Sequence, residues 1–159
     1  MQQIVFIKSP LGIAKIVGNA TGISEISVID EGEVSEIIPK ELQNTVCQLQ
    51  EYFEGKRTNF DFKITPKGTD FQQKVWQELC NIPFGKTLTY LELSKKLGDV
   101  KAIRAVASAN GKNPLWIVIP CHRVIGSDGS LTGYAGGLWR KKWLLDHESS
   151  SKQPTLFDE

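Results

Sequence analysis

Over the first thirty positions apolar residues fall in short runs rich in Ile and Val, at 4–8, 13–17 and 23–29. Ser9-Pro10-Leu11-Gly12 separates the first pair, and a stretch containing Asn19-Ala20-Thr21-Gly22 separates the second; both have turn composition. The pattern predicts three strands in an antiparallel meander. From about 39 to 53 the period becomes helical, with Leu42, Val46, Leu49 and Phe53 as the buried stripe. Cys47 adjoins that stripe and reads as a small core hydrophobe. Gly55 ends the helix, and the polar stretch 56–67, with Pro66 near its end and Gly68 beyond, reads as a linker.

The pattern then turns helical. Thr69 followed by Gln72 is a capping box, and Phe71, Val75 and Leu79 share one face of the helix it opens. Ile82-Pro83-Phe84-Gly85 stops that helix. Thr89 and Glu92 form a second capping box, opening a helix through Leu93 and Leu97 to Gly98. Asp99 caps a third helix over 100–110, ended by Gly111. Two helices joined by a tight Gly-Asp turn predict a helix-turn-helix. At about 100° per residue, Lys101, Arg104, Ser108 and Lys112 fall in one exposed quadrant, with Ile103 and Val106 opposite. Ala105, Ala107 and Ala109 keep this helix slim.

Charge sharpens the picture. The chain of 159 residues has a formal net charge of only +1, yet 86–142 holds ten basic and three acidic residues. A local excess of that kind suits a phosphate backbone or an ordinary lysine-rich surface. The longest apolar run, 115–121, is too short for a membrane span, and the amino terminus has no basic lead-in or cleavage site. A cytoplasmic protein with no membrane association is expected. Three widely spaced cysteines, Cys47, Cys80 and Cys121, do not make a disulfide framework. With His122 and His147 as the only histidines, no short zinc spacing exists, and neither metal nor cofactor is expected.

Pro120-Cys121-His122-Arg123-Val124 is the least generic segment. It follows the apolar run 115–119, read as a buried strand or extended segment, and precedes a turn around Asp128-Gly129. A thiol held at such a junction is a candidate nucleophile toward saturated carbon, since a nearby imidazole promotes the thiolate. Composition alone favours the other reading, a core cysteine among Ile, Val and Pro. Cys47 and Cys80 lie beside apolar helical faces, where thiols are buried and inert. A carboxylate behind His122 would fix its tautomer; Asp128, Asp146 and Glu148 are candidates. Gly133-Tyr134-Ala135-Gly136-Gly137 offers close backbone approach and a stacking ring, or an ordinary loop. In the helix that follows, Trp139 and Trp143 read as core.

This segment, with Arg104-Ala105-Val106 and Asn113-Pro114 before it and Gly133-Tyr134-Ala135-Gly136-Gly137 after it, resembles the O6-alkylguanine-DNA alkyltransferases. The similarity runs from about Thr69 to Glu148, and the first part looks like that family's more variable amino-terminal domain. The resemblance implies an α/β architecture. A small sheet-plus-helix domain spans 1–67, a mostly helical domain with a helix-turn-helix and the cysteine spans 68–148, and a flexible tail covers 149–159. It implies single-turnover repair, in which Cys121 irreversibly takes the alkyl group from O6-alkylguanine, with O4-alkylthymine a further candidate. His122 would be the water-linked base, Glu148 the carboxylate behind it, and Tyr90 a donor to the departing guanine. Arg104 would fill the space of the flipped nucleotide, with Lys101, Ala105, Ser108, Lys112 and Arg123 also on DNA. Asn113, Pro120, Val124, Tyr134, Ala135 and Gly136 would line or brace the pocket. The implied partner is double-stranded DNA, bound through its minor groove by a monomer.

Two other readings stay open on the sequence: a non-enzymatic helix-turn-helix binder or alkylated-base sensor, and a cysteine hydrolase. Beyond Glu148 the chain is polar, yet Gln153-Pro154-Thr155-Leu156-Phe157 resembles the peptides that dock bacterial repair proteins on the sliding clamp. Gln153, Leu156 and Phe157 would make that contact, the other reading being an inert end.

Overall fold

The computed structural model describes residues 1–131, 134 and 136–151. They divide into two compact units, Met1–Lys67 with Pro114–Val118, and Gly68–Asn113 with the chain from Ile119 onward.

In the first unit, β1 (Gln3–Ser9), β2 (Gly12–Asn19) and β3 (Gly22–Ile29) form an antiparallel sheet in that order. Ile4 lies opposite Val17, and Ile16 opposite Ile26. The predicted meander is therefore present. Central β2 buries Ile13, Ala14, Ile16 and Val17, so both its faces are covered, while β1 buries only Val5 and Ile7. Helix α1 (Lys40–Phe53) packs on this sheet through Leu42, Val46, Leu49 and Tyr52. Phe53, expected in the stripe, is only half-buried, and Tyr52 takes the fully buried place. Cys47 is exposed, contrary to its reading as a core residue, because it sits beside the stripe and not on it.

The stretch expected to be a linker is bound into this unit. Gln48 Oε1 accepts from the Asp61 backbone at 3.1 Å while its Nε2 donates to the Asp61 carboxylate. Ile64 bridges Ile23, and Phe60 packs on Tyr52 with ring centroids 5.6 Å apart. The other addition to the sheet comes from far along the chain. Ile26 donates to the Pro114 carbonyl at 2.9 Å and accepts from Trp116 at 2.9 Å, so the run after Asn113 joins β3. It is a turn with one bridge and not the expected strand. Ile117 within it has φ 72°, a left-handed conformation that a β-branched side chain adopts only under constraint.

In the second unit, α2 (Asp70–Leu79) opens with the expected capping box between Thr69 and Gln72. Val75 and Leu79 are buried as read, but Trp76 is the third core residue, and Phe71 stays 37% exposed. A methyl on Gly68 would lie 2.5 Å from the Trp76 ring, so only glycine leaves room for the indole. Short strand β4 (Leu88–Thr89) precedes α3 (Tyr90–Lys96), which opens with the second expected capping box, Thr89 with Glu92. Gly98 turns the chain at φ 91°, and Asp99 accepts from Lys101 N. The third helix begins as a 3-10 turn over Val100–Ala102 and continues as α4 (Ile103–Gly111). A further 3-10 turn, Cys121–Arg123, leads into β5 (Val124–Ile125), which pairs in parallel with β4. Helix α5 (Leu138–Ser151) follows. Among the described residues no helix is long and apolar enough to cross a membrane.

Trp76 ties α2 to α4, its indole N–H donating to the Ala109 carbonyl at 2.9 Å in the core. Trp76→Phe keeps most of the apolar contact and removes one of two hydrogen bonds on that carbonyl, which also accepts from Lys112 N at 3.2 Å. It is expected to cost about 0.5–1.5 kcal/mol in urea unfolding, with the circular dichroism of the folded protein unchanged.

Candidate functional site

The β4–β5 pairing positions the chemistry. With Leu88 opposite Val124 and Thr89 opposite Ile125, the two-residue ladder aligns the start of α3 with the turn that carries Cys121. Cys121, His122 and Arg123 are 7%, 0% and 6% exposed. The 3-10 turn is closed by Arg123 N donating to the Pro120 carbonyl at 3.0 Å. Asn113 braces the approach, its Nδ2 donating to the Ile119 carbonyl at 2.6 Å.

Behind the cysteine lies a buried charge cluster. His122 Nε2 lies 2.7 Å from Glu148 Oε2, and the carboxylate holds that nitrogen as the protonated one. Nδ1 then carries the lone pair, and it makes no hydrogen bond among the described residues. Arg123 grips the same carboxylate twice, Nε to Oε1 at 2.8 Å and Nη2 to Oε2 at 2.9 Å, while Nη1 donates to the Ile82 carbonyl at 2.7 Å. Burial alone would raise the Glu148 carboxyl, but His122 and Arg123 outweigh it and hold it well below the carboxylate range. Burial lowers His122, and Glu148 only partly offsets this, so the imidazole is neutral at pH 7. Burial also pushes the Cys121 thiol up, against the opposing pull of the Asn113 side chain, the Lys141 charge and the Tyr134 hydroxyl. The resting sulfur is a protonated thiol within reach of the Lys141 charge.

Most of the expected site residues are placed in this unit. Cys121, His122 and Glu148 are brought together, Pro120 and Val124 are buried beside them, and Tyr134 interacts with the thiol. Gly136 is half-buried, its carbonyl accepting from Arg140 at 2.9 Å. Lys101, Arg104, Ala105, Ser108 and Lys112 are all exposed along the 3-10 turn and α4. Arg123, expected on DNA, is corrected: each of its guanidinium nitrogens is engaged inward, which removes it from any exposed surface. The burial argument for the cysteines is reversed, since Cys47 and Cys80 are exposed and Cys121 is buried. Trp139, read as core, is 55% exposed with Arg140 over its ring. Trp143 is half-buried and stacks on His147 at 4.8 Å. Asp128 and Asp146 are exposed. Ala135, Gln153, Leu156 and Phe157 lie outside the described residues.

Two buried polar residues were not singled out by the sequence. Lys141 is fully buried, its Nζ 5.8 Å from the centre of the Tyr90 ring, with burial lowering its proton affinity and Cys121 pulling the other way. Asn110, 1% exposed, reaches the Cys121 carbonyl from the end of α4. A lysine among Arg140, Lys141 and Lys142 looks like a solvated face, and an asparagine before Gly111 looks like a helix end.

Both parts of the chain are similar to known proteins. Residues 70–150 match the family described as 6-O-methylguanine DNA methyltransferase, DNA binding domain, and residues 5–66 match its ribonuclease-like domain. A methylated-DNA–protein-cysteine methyltransferase of Methanosarcina barkeri is 45% identical over 151 residues, covering 91% of this chain and 96% of its own. The Mycobacterium bovis protein of the same name is 42% identical over 159 residues, covering 96% of each. The crystal structure of Mycobacterium tuberculosis O6-methylguanine methyltransferase superposes with a TM-score of 0.86 at 39% identity, over 99% of this chain and 98% of that one. Mycobacterium tuberculosis OGT in complex with DNA gives 0.83 at 41% identity over 92% of each chain. With both halves matched by the family's domains and relatives covered almost end to end, the chain belongs to the O6-alkylguanine-DNA alkyltransferase family.

Proposed function

We infer that this protein repairs DNA by direct reversal, moving the alkyl group of O6-alkylguanine onto Cys121. The carrying observation is the buried Cys121 turn with His122 locked on Glu148 behind it. The sulfur attacks the alkyl carbon, a C–S bond forms, and the C–O bond breaks with its electron pair passing to the guanine. The thiol proton leaves through water to Nδ1 of His122, and Glu148 offsets the charge the ring acquires. Tyr90, at the start of α3, donates toward the base as negative charge develops there. The base takes up a proton and departs as guanine, while the thioether remains and ends the protein's activity.

DNA engages the exposed face of α4. Arg104 enters the stack in place of the extruded nucleotide, while Lys101 and Lys112 meet phosphates and Ala105 and Ser108 allow close approach. Docking in the minor groove suits a repair protein that needs no base code. The protein acts as a monomer, and the tail segment containing Gln153, Leu156 and Phe157 tethers it to the sliding clamp without altering the site.

Incubation with a duplex carrying one O6-methylguanine is expected to add the mass of one methyl in place of one hydrogen, mapped to Cys121. Cys121→Ser should retain DNA binding and gain no mass; methyl on Cys47 or Cys80 would overturn the assignment. Arg104→Ala should slow repair of the duplex by roughly tenfold or more, about 1.4 kcal/mol, with free O6-benzylguanine far less affected. Rates on both substrates test this.

Stability should fall on acidification. His122 is held below its ordinary 6.5, so the unfolded chain protonates first and stability is lost as pH drops below that value. Glu148 adds a second loss below its ordinary 4.5. Glu148→Gln should remove this second loss and, by leaving Arg123 buried without its partner, cost about 3–5 kcal/mol at neutral pH. Urea titrations from pH 8 to pH 3 measure both.

A further inference from the structure

Asn110 links the helix proposed to face DNA with the reacting groups. It belongs to α4, the helix that carries Arg104, yet its side chain is buried. Its Nδ2 donates to the Cys121 carbonyl at 3.4 Å and to the Tyr90 hydroxyl oxygen at 3.5 Å. The carbonyl can only accept, so it fixes which end of the carboxamide faces these two groups. The Tyr90 oxygen therefore receives a hydrogen, and its own O–H turns away from the amide. The other carboxamide atom, Oδ1, is buried with no partner among the described residues. An apolar side chain in this place would not carry that penalty. The amide thus costs stability that its donor contacts must justify in another way.

We propose that Asn110 is a positioning residue for the transfer step. It presents the Tyr90 proton to the departing base and holds the Cys121 backbone beside it. The proposal rests on reading Tyr90 as the donor to guanine. Its effect falls on leaving-group departure, as the C–O electron pair moves onto the base, and not on the intrinsic reactivity of the thiol. Because the amide is anchored on α4, the element that meets DNA also sets the direction of the donor.

The test uses the full chain in four forms: parent, Asn110→Ala, Tyr90→Phe and the double variant. Transfer from free O6-benzylguanine is timed, which leaves DNA binding out of the comparison. Alkylation of Cys121 by iodoacetamide is followed in parallel by peptide mapping, since iodide leaves without a proton donor. Asn110→Ala is expected to slow benzyl transfer roughly tenfold in the parent but less than about threefold in Tyr90→Phe. Its reaction with iodoacetamide should stay within about twofold of the parent, because thiol reactivity is unchanged. Independent, multiplying effects of the two substitutions would overturn the proposal. So would matching losses in benzyl transfer and iodoacetamide alkylation, which would mark a structural role at Cys121. If Tyr90→Phe is slow and Asn110→Ala is not, the positioning role fails while the donor reading stands. A Tyr90→Phe variant as fast as the parent overturns the donor reading itself. Asn110→Leu, similar in volume and without an amide, is read against the same outcomes if the alanine variant folds poorly.

Discussion

The Glu148 carboxylate, shared by His122 and Arg123 in the interior, is the contact on which the reactive half depends. It joins α5 to the Cys121 turn, and through Arg123 to the carbonyl of Ile82 after α2. Taking three ionisable groups out of water is expensive, and the arrangement stands only because each polar atom of the carboxylate and guanidinium is engaged. Such a cluster does not earn its place through stability. It fixes the imidazole in one tautomer and one direction, which a packed apolar substitute would not do.

The same cluster explains the odd amphipathicity of α5. Its buried face holds Arg140, Lys141, Leu144 and Glu148, while Leu138 and Trp139 remain about half exposed. The helix delivers charge to the site instead of filling a core. The two cations near the histidine act in one direction at rest, lowering its proton affinity, whereas Lys141 favours negative charge on the sulfur. A neutral imidazole and a neutral thiol on adjacent residues are the resting state.

The fold was legible where local chemistry decides it. Alternating Ile and Val runs with turn residues between them gave the meander, and Thr69 with Gln72 and Thr89 with Glu92 marked two helix starts to the residue. The reading failed where a side chain's direction depends on distant partners. Arg123 belongs to a basic stretch, and nothing local says that it turns inward to Glu148. Cys47 and Cys80 adjoin apolar positions, yet one residue of helical rotation leaves both in solvent. The apolar run at 115–119 has strand composition, but Ile117 takes a left-handed backbone and breaks it into a turn. Asn110 and Lys141 carry no motif at all, since burial of a polar residue is a tertiary fact.

The five residues Pro114–Val118 give the molecule a kind of modularity different from that of two beads on a string. They lie between the brace Asn113 and the nucleophile, yet they are packed as part of the amino-terminal sheet, with Leu115, Trp116 and Ile117 each at most 6% exposed. A helical half cut free at the boundary near Lys67 would carry these side chains into water with their hydrogen-bonding strand gone. Recombination between relatives at that boundary meets the same obstacle: a transplanted sheet must offer an edge that accepts this apolar peptide in register with Ile26. Divergence of the amino-terminal half is thus constrained by a peptide encoded next to the reactive cysteine, and the two halves of the gene inherit a shared lock.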